Sequence, residues 1–134
     1  MNWKLVASLS AFGVLMGFAS VLGWTGKLEG PLWIAIGSVC AVVIARSVPD
    51  RHARHGFLVG MFGAMASQLI AAALMPTYLA NNPNVAAELS AVPAGLTPQT
   101  LFLLAAPHIG LVSGLVLALV STIAARLIRG RAMR

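Results

Sequence analysis

Four long apolar runs, Leu5–Trp24, Pro31–Val48, Phe57–Met75 and Leu101–Ile128, constrain this chain more than any other feature. A helix crossing the hydrocarbon core of a bilayer needs about 20 mostly apolar residues, within a range of roughly 17–25. Each run meets that length. None alternates with the two-residue period of a barrel strand. Backbone amides in hydrocarbon must bond within their own segment, which selects helices. The expected fold is therefore all-α, an integral membrane four-helix bundle forming one domain over residues 1–134. Its helices are expected over 5–24, 31–48, 56–76 and 99–128, with an extracytoplasmic loop over 77–98. Composition points the same way: hydrophobic residues make up 59% and charged residues 9%, against about 45–50% and about 25% in soluble domains.

The placement of charge predicts orientation. Lys4, Arg46, Arg51, Arg54, Arg126, Arg129, Arg131 and Arg134 all fall on one side of a four-pass arrangement, and only Lys27 falls on the other. The positive-inside rule puts that side, with both termini, in the cytoplasm of a bacterial-type inner membrane. Trp3 is the expected aromatic anchor at the inner boundary, and Trp24, Trp33 and Tyr78 at the outer one. The net charge of +6 sits at the ends of apolar runs. The expected partner of Arg46, Arg51, Arg54, Arg126, Arg129 and Arg131 is therefore a layer of anionic lipid headgroups, not nucleic acid. The first run follows Lys4 like a secretory signal, but no small-x-small cleavage site precedes "WTGKLEG", so it reads as a retained helix.

The connections carry helix signals. In "SVPDRHARHG", Asp50 is a candidate cap for the third helix. In the long loop, Asn82-Pro83 reads as an N-cap followed by proline at the first helical position. It predicts a short surface helix over Val85–Val92, lying on the membrane or over the bundle. Thr97-Pro98 repeats the signal ahead of the fourth long helix.

Burying leucine does not drive association in lipid, whereas close backbone approach does. Each long helix has a stripe of small residues at helical spacing, and the positions expected to pack are Gly13, Gly17, Gly37, Ala41, Gly56, Gly60, Gly110 and Gly114. These faces are also where a second copy, or another membrane protein, would be expected to dock.

The candidate intramembrane polar site is Gln68, His108, Pro107, Ser67 and Ser113. Measured from the ends of the apolar runs, Gln68 and His108 share a depth, so a hydrogen bond between them is expected. Pro107 cannot donate to the Leu103 carbonyl, leaving an acceptor free and a kink expected. On a regular helix, however, His108 points about 160° away from the Gly110/Gly114 face. Burial of His108 against protein therefore requires a rotated register, a covering loop or a second subunit. One histidine without an acidic or thiol partner makes a poor catalyst, so His108 reads as a satisfied structural residue. His52 and His55, three apart beside Arg51 and Arg54, read as a solvated basic turn and not as a metal pair. The lone Cys40 excludes an internal disulfide and paired-thiol chemistry.

No Asp or Glu lies inside an apolar run, where proton-coupled carriers commonly place a carboxylate. No cofactor-binding or catalytic motif is legible. The expectation is a small, non-enzymatic inner-membrane protein of scaffold, assembly or interaction type, needing no cofactor or metal. The alternative is a small transporter or channel subunit with a polar path near Gln68 and His108.

Overall fold

The computed structural model describes residues 1–92 and 95–132. All regular elements among them are helical: α1 Trp3–Val21, a 3₁₀ turn Gly26–Leu28, α2 Glu29–Ser47, α3 His52–Ala73, α4 Met75–Asn81, α5 Pro83–Leu89 and α6 Pro98–Ala132. Four helices are long and apolar enough to cross a membrane.

The helix ends differ from expectation for local reasons. α1 stops at Val21 and does not run to Trp24. Gly23 takes a left-handed φ of 73°, its N–H donates to the Ser20 carbonyl, and the Trp24 N–H donates to Ala19. This is the Schellman stop that glycine permits. α3 begins at His52, four residues earlier than expected, behind a left-handed Arg51. Asp50 does not cap it; its carboxylate lies 3.7 Å from Arg51 Nε, and both side chains are exposed. The third apolar run breaks at Leu74 and restarts with Pro76 in the first turn of α4, an element the sequence reading lacked. Asn82-Pro83 and Thr97-Pro98 launch α5 and α6 as expected. The Thr97 Oγ1 accepts the Thr100 N–H at 3.1 Å. α5 ends at Leu89, short of Val92.

Glycine contacts set the order of the long helices. A Cβ on Gly13 would overlap the Gly63 backbone, and one on Gly17 would stand 3.0 Å from Ser67 Cα. That rising match makes α1 and α3 parallel neighbours. On another side of α3, a Cβ on Gly56 would be 2.6 Å from the Leu117 carbonyl oxygen, and one on Gly60 would meet Ser113 and Gly114. Gly110 and Gly114 return the contact onto Met61, Met65 and Phe57, so α6 runs antiparallel to α3. The backbones of α1, α3 and α6 therefore touch in a slab with α3 at its centre. α2 leans chiefly on α6 and makes little contact with α1, its neighbour in sequence.

Two cores tie the helices at opposite ends. At the arginine-bearing end, Val6, Leu9, Cys40, Ile44, Val59 and Leu117 join all four long helices. At the other end Val21, Ala71, Met75 and Tyr78 cluster, backed by Phe102 and Val85. α2 is missing from that second cluster. Its apolar side chains join a core at one end only.

Candidate functional site

Three features of the bundle carry chemistry or shape: a polar knot at each end and an apolar cleft between them.

The knot away from the arginines closes the end of α1. The last carbonyls of a helix have no partner within it. Here Asn81 Nδ2 donates to the Val21 carbonyl at 3.0 Å, and Asn82 Nδ2 donates to the Ser20 carbonyl at 2.9 Å and to Tyr78 at 2.8 Å. Because Asn82 is turned to this task, it makes no side-chain bond to the start of α5. Glu29 opens α2, a position where a carboxylate meets the positive end of the helix dipole. It accepts hydrogen bonds from the Ser20 hydroxyl at 3.1 Å and the Thr25 hydroxyl at 3.2 Å. Ser20, Thr25 and Tyr78 are all buried. The Tyr78 ring meets Phe102 edge-on with centroids 5.5 Å apart. Burial raises the Tyr78 phenol above its ordinary 10.0, and the Glu29 and Glu88 charges push the same way against the opposing Ser20 hydroxyl. Tyr78 is expected at this end from the sequence, but the knot is not legible there, because its members lie up to 62 residues apart.

The second knot lies at the arginine end. The Asn2 side chain accepts the Leu5 N–H at 3.1 Å and so caps α1. The Asn2 N–H in turn donates to His55 Nε2 at 3.0 Å. His55 Nδ1 is 3.0 Å from the Arg51 carbonyl. An accepting Nε2 requires Nδ1 to carry the proton, so this geometry selects one neutral tautomer. His52 Nε2 donates to the Val48 carbonyl at 3.0 Å. Both histidines are buried, which corrects the reading of a solvated turn; each ring is drawn in to satisfy a backbone group. The Arg129 guanidinium bonds the Pro49 carbonyl and staples α6 to the α2–α3 turn. Arg46, Arg51, Arg54, Arg126 and Arg129 are exposed at this one end. The Arg131 side chain falls outside the described residues. Among the described residues, no three His, Cys, Asp or Glu side chains converge as metal ligands would.

The expected polar site between the knots is not assembled. α6 runs unbroken through Pro107. Gly110 and Gly114 face α3, and His108 is exposed on the outer side of the bundle, its Nδ1–H donating to the Leu104 carbonyl at 3.0 Å. Close packing of the two glycines fixes the rotation of α6, so neither a rotated register nor the outer loop buries His108, and a second subunit is the one expected route left. Among the described residues no hydrogen bond joins Gln68 to His108. α3 ends at Ala73 and α6 starts at Pro98, which puts Gln68 about 7.5 Å and His108 about 15 Å from those ends. Ser67 is buried against α1, Gln68 is half-buried, and Ser113 alone of the set lines the cleft.

That cleft has a volume of about 340 Å³. Its floor is Leu9, Gly13, Cys40, Val59, Gly63 and Leu117, and its side wall is α2. Ala41 is buried as a packing residue. Gly37 is not one: a Cβ there would have nothing within 4 Å. The divergence of α2 from the slab removes the neighbour that Gly37 was expected to meet.

No protein family, no curated protein and no solved structure matches this chain. Any functional reading therefore rests on the chain's own geometry.

Proposed function

We propose that the chain is a multi-pass protein of a bacterial-type inner membrane, with its arginine end and both termini in the cytoplasm. It acts by holding partners, as a scaffold or assembly factor, and not by catalysis. The observation that carries this reading is the uncovered apolar surface. In the most apolar stretches of α2 and α6, only 17% and 22% of the residues are buried. Soluble monomers rarely expose contiguous apolar patches beyond a few hundred Å², whereas in a bilayer such faces are covered by lipid or by a neighbouring helix. The close-packed α1–α3–α6 slab holds the α6 face in place, with α2 leaning on α6 beside it. The exposed arginines at one end suit anionic headgroups.

A conducting path finds less support, because Gln68, His108, Ser67 and Ser113 occupy four different surroundings. Reconstitution into proteoliposomes separates the two readings. The scaffold reading predicts no proton or solute flux above empty vesicles, and an oligomeric state by native mass spectrometry that His108→Leu leaves unchanged. A pH-dependent flux lost in His108→Leu would establish the conducting path instead.

A further inference from the structure

The three histidines of this chain use their rings differently. A carbonyl oxygen only accepts, so His52 Nε2, facing the Val48 carbonyl, and His108 Nδ1, facing the Leu104 carbonyl, both donate. Those bonds survive protonation, because a doubly protonated ring still donates at the same atom. His55 differs. Its Nε2 accepts the Asn2 N–H at 3.0 Å and so works only as a bare nitrogen. Protonation places an N–H at that atom and sets one donor against another.

The surroundings leave the ring no second way to keep that bond. Arg51 takes a left-handed φ of 55°, and its carbonyl accepts both the His55 N–H at 3.1 Å and the His55 Nδ1–H at 3.0 Å. This pair fixes the ring with Nε2 aimed at Asn2. Among the described residues, the Asn2–His55 bond is the one hydrogen bond from the start of α1 to another helix. The other bonds of Asn2 go to Leu5 and Val6 in its own helix. His55 is only 3% exposed, yet it lines an open cleft of about 580 Å³ with Asn2, Trp3, Lys4, Val48 and Asp50. Solvent in that cleft brings a proton within reach of the ring. The charged groups sharing the cleft are the Met1 amine and Lys4 at the start of α1, and Asp50 in the turn. Arg51, His52 and Arg54 lie beside His55 on α3, Arg46 ends α2, and Arg129 reaches Pro49 from α6.

We propose that His55 is a proton-operated latch between the starts of α1 and α3. With Nε2 bare, it holds the Asn2 segment against α3. One proton from water, taken up on Nε2, replaces the Asn2 N–H there. The first residues of α1, Trp3 and Lys4 among them, then come free, while Val6 and Leu9 stay in the core. The sign follows from the lone pair: the latch is closed at higher pH and opens as pH falls. Histidines as a class change charge between about pH 5 and pH 8, so the signal is acidification of the compartment at the arginine end. The latch depends on these two helix starts alone and holds whichever side of a membrane they face.

The test is nuclear magnetic resonance of the full chain in detergent micelles, labelled with nitrogen-15 at asparagine and histidine. Asn2→Ser assigns the Asn2 amide by removing its signal. At about pH 8 the Asn2 amide nitrogen should couple to His55 Nε2 across the hydrogen bond, and relaxation should show a rigid amide. At about pH 5 the coupling should be lost and the amide should move on the ps–ns timescale. His55→Gln offers an acceptor that does not titrate, so Asn2 should stay ordered at both values. In His52→Gln the change with pH should remain, because that ring only donates. An Asn2 amide equally ordered at both values in the wild-type protein overturns the proposal. A change with pH that persists in a folded His55→Gln, or vanishes in His52→Gln, overturns it too. Should His55→Gln fail to fold, the wild-type protein decides alone. Its His55 ring signals and its Asn2 amide should change together along one titration, and separate midpoints overturn the latch.

Discussion

Tyr78 shows how a single residue reports on its surroundings. It is the only tyrosine in the chain, so its ultraviolet titration is unambiguous. Burial and two nearby carboxylates favour the neutral phenol in the folded protein, and a raised folded-state pKa means that the unfolded chain ionises first. The stabilising contribution is therefore fully present below about pH 10 and is lost as pH climbs through the folded-state value. Alkaline titration should show Tyr78 ionising above the unfolded protein's tyrosine. Glu29→Gln should lower that midpoint, because it removes the stronger of the two charge effects without emptying the site. A midpoint equal to that of the unfolded chain would mean that the Ser20–Glu29–Tyr78 knot is open. At this scale the sequence was only partly legible. The rotation of His108 away from the glycine face could be read from helical spacing. The use of Asn81 and Asn82 as caps for a distant helix could not, because nothing local distinguishes them from ordinary loop asparagines.

Helices were more legible than their ends. Run length and small-residue spacing give all four long helices, and they mark the faces that bring α1, α3 and α6 together. Apolarity alone does not mark a stop, so it extends α1 past Gly23 and merges α3 and α4 into one run across Leu74. Which small residues touch also depends on tertiary arrangement, and Gly37 shows the consequence. Two substitutions separate the cases. Gly13→Leu forces a side chain into the Gly63 backbone and should cost about 1–3 kcal/mol or more, as overpacked cores do. Gly37→Ala meets nothing within 4 Å and should be neutral or stabilise by up to about 1 kcal/mol through helix propensity. Equilibrium unfolding in mixed micelles measures both. Equal destabilisation by the two would contradict the order of helices described above.

Over the whole molecule, the separation of charge from apolar surface links sequence to proposed function. Arginines gather where α1 and α3 begin and where α2 and α6 end, while α4, α5 and the Glu29 knot cap the opposite end. Two cores hold those ends together, and α2 contributes apolar side chains to one of them alone. The account requires the two ends to face different compartments, and labelling of intact cells tests this most directly. In a Cys40→Ala background, single cysteines replacing Ser90 and Arg54 are exposed to a membrane-impermeant maleimide. Ser90→Cys should react on intact cells, and Arg54→Cys only after permeabilisation. Reaction of both from the same side, or the reverse pattern, would contradict the account.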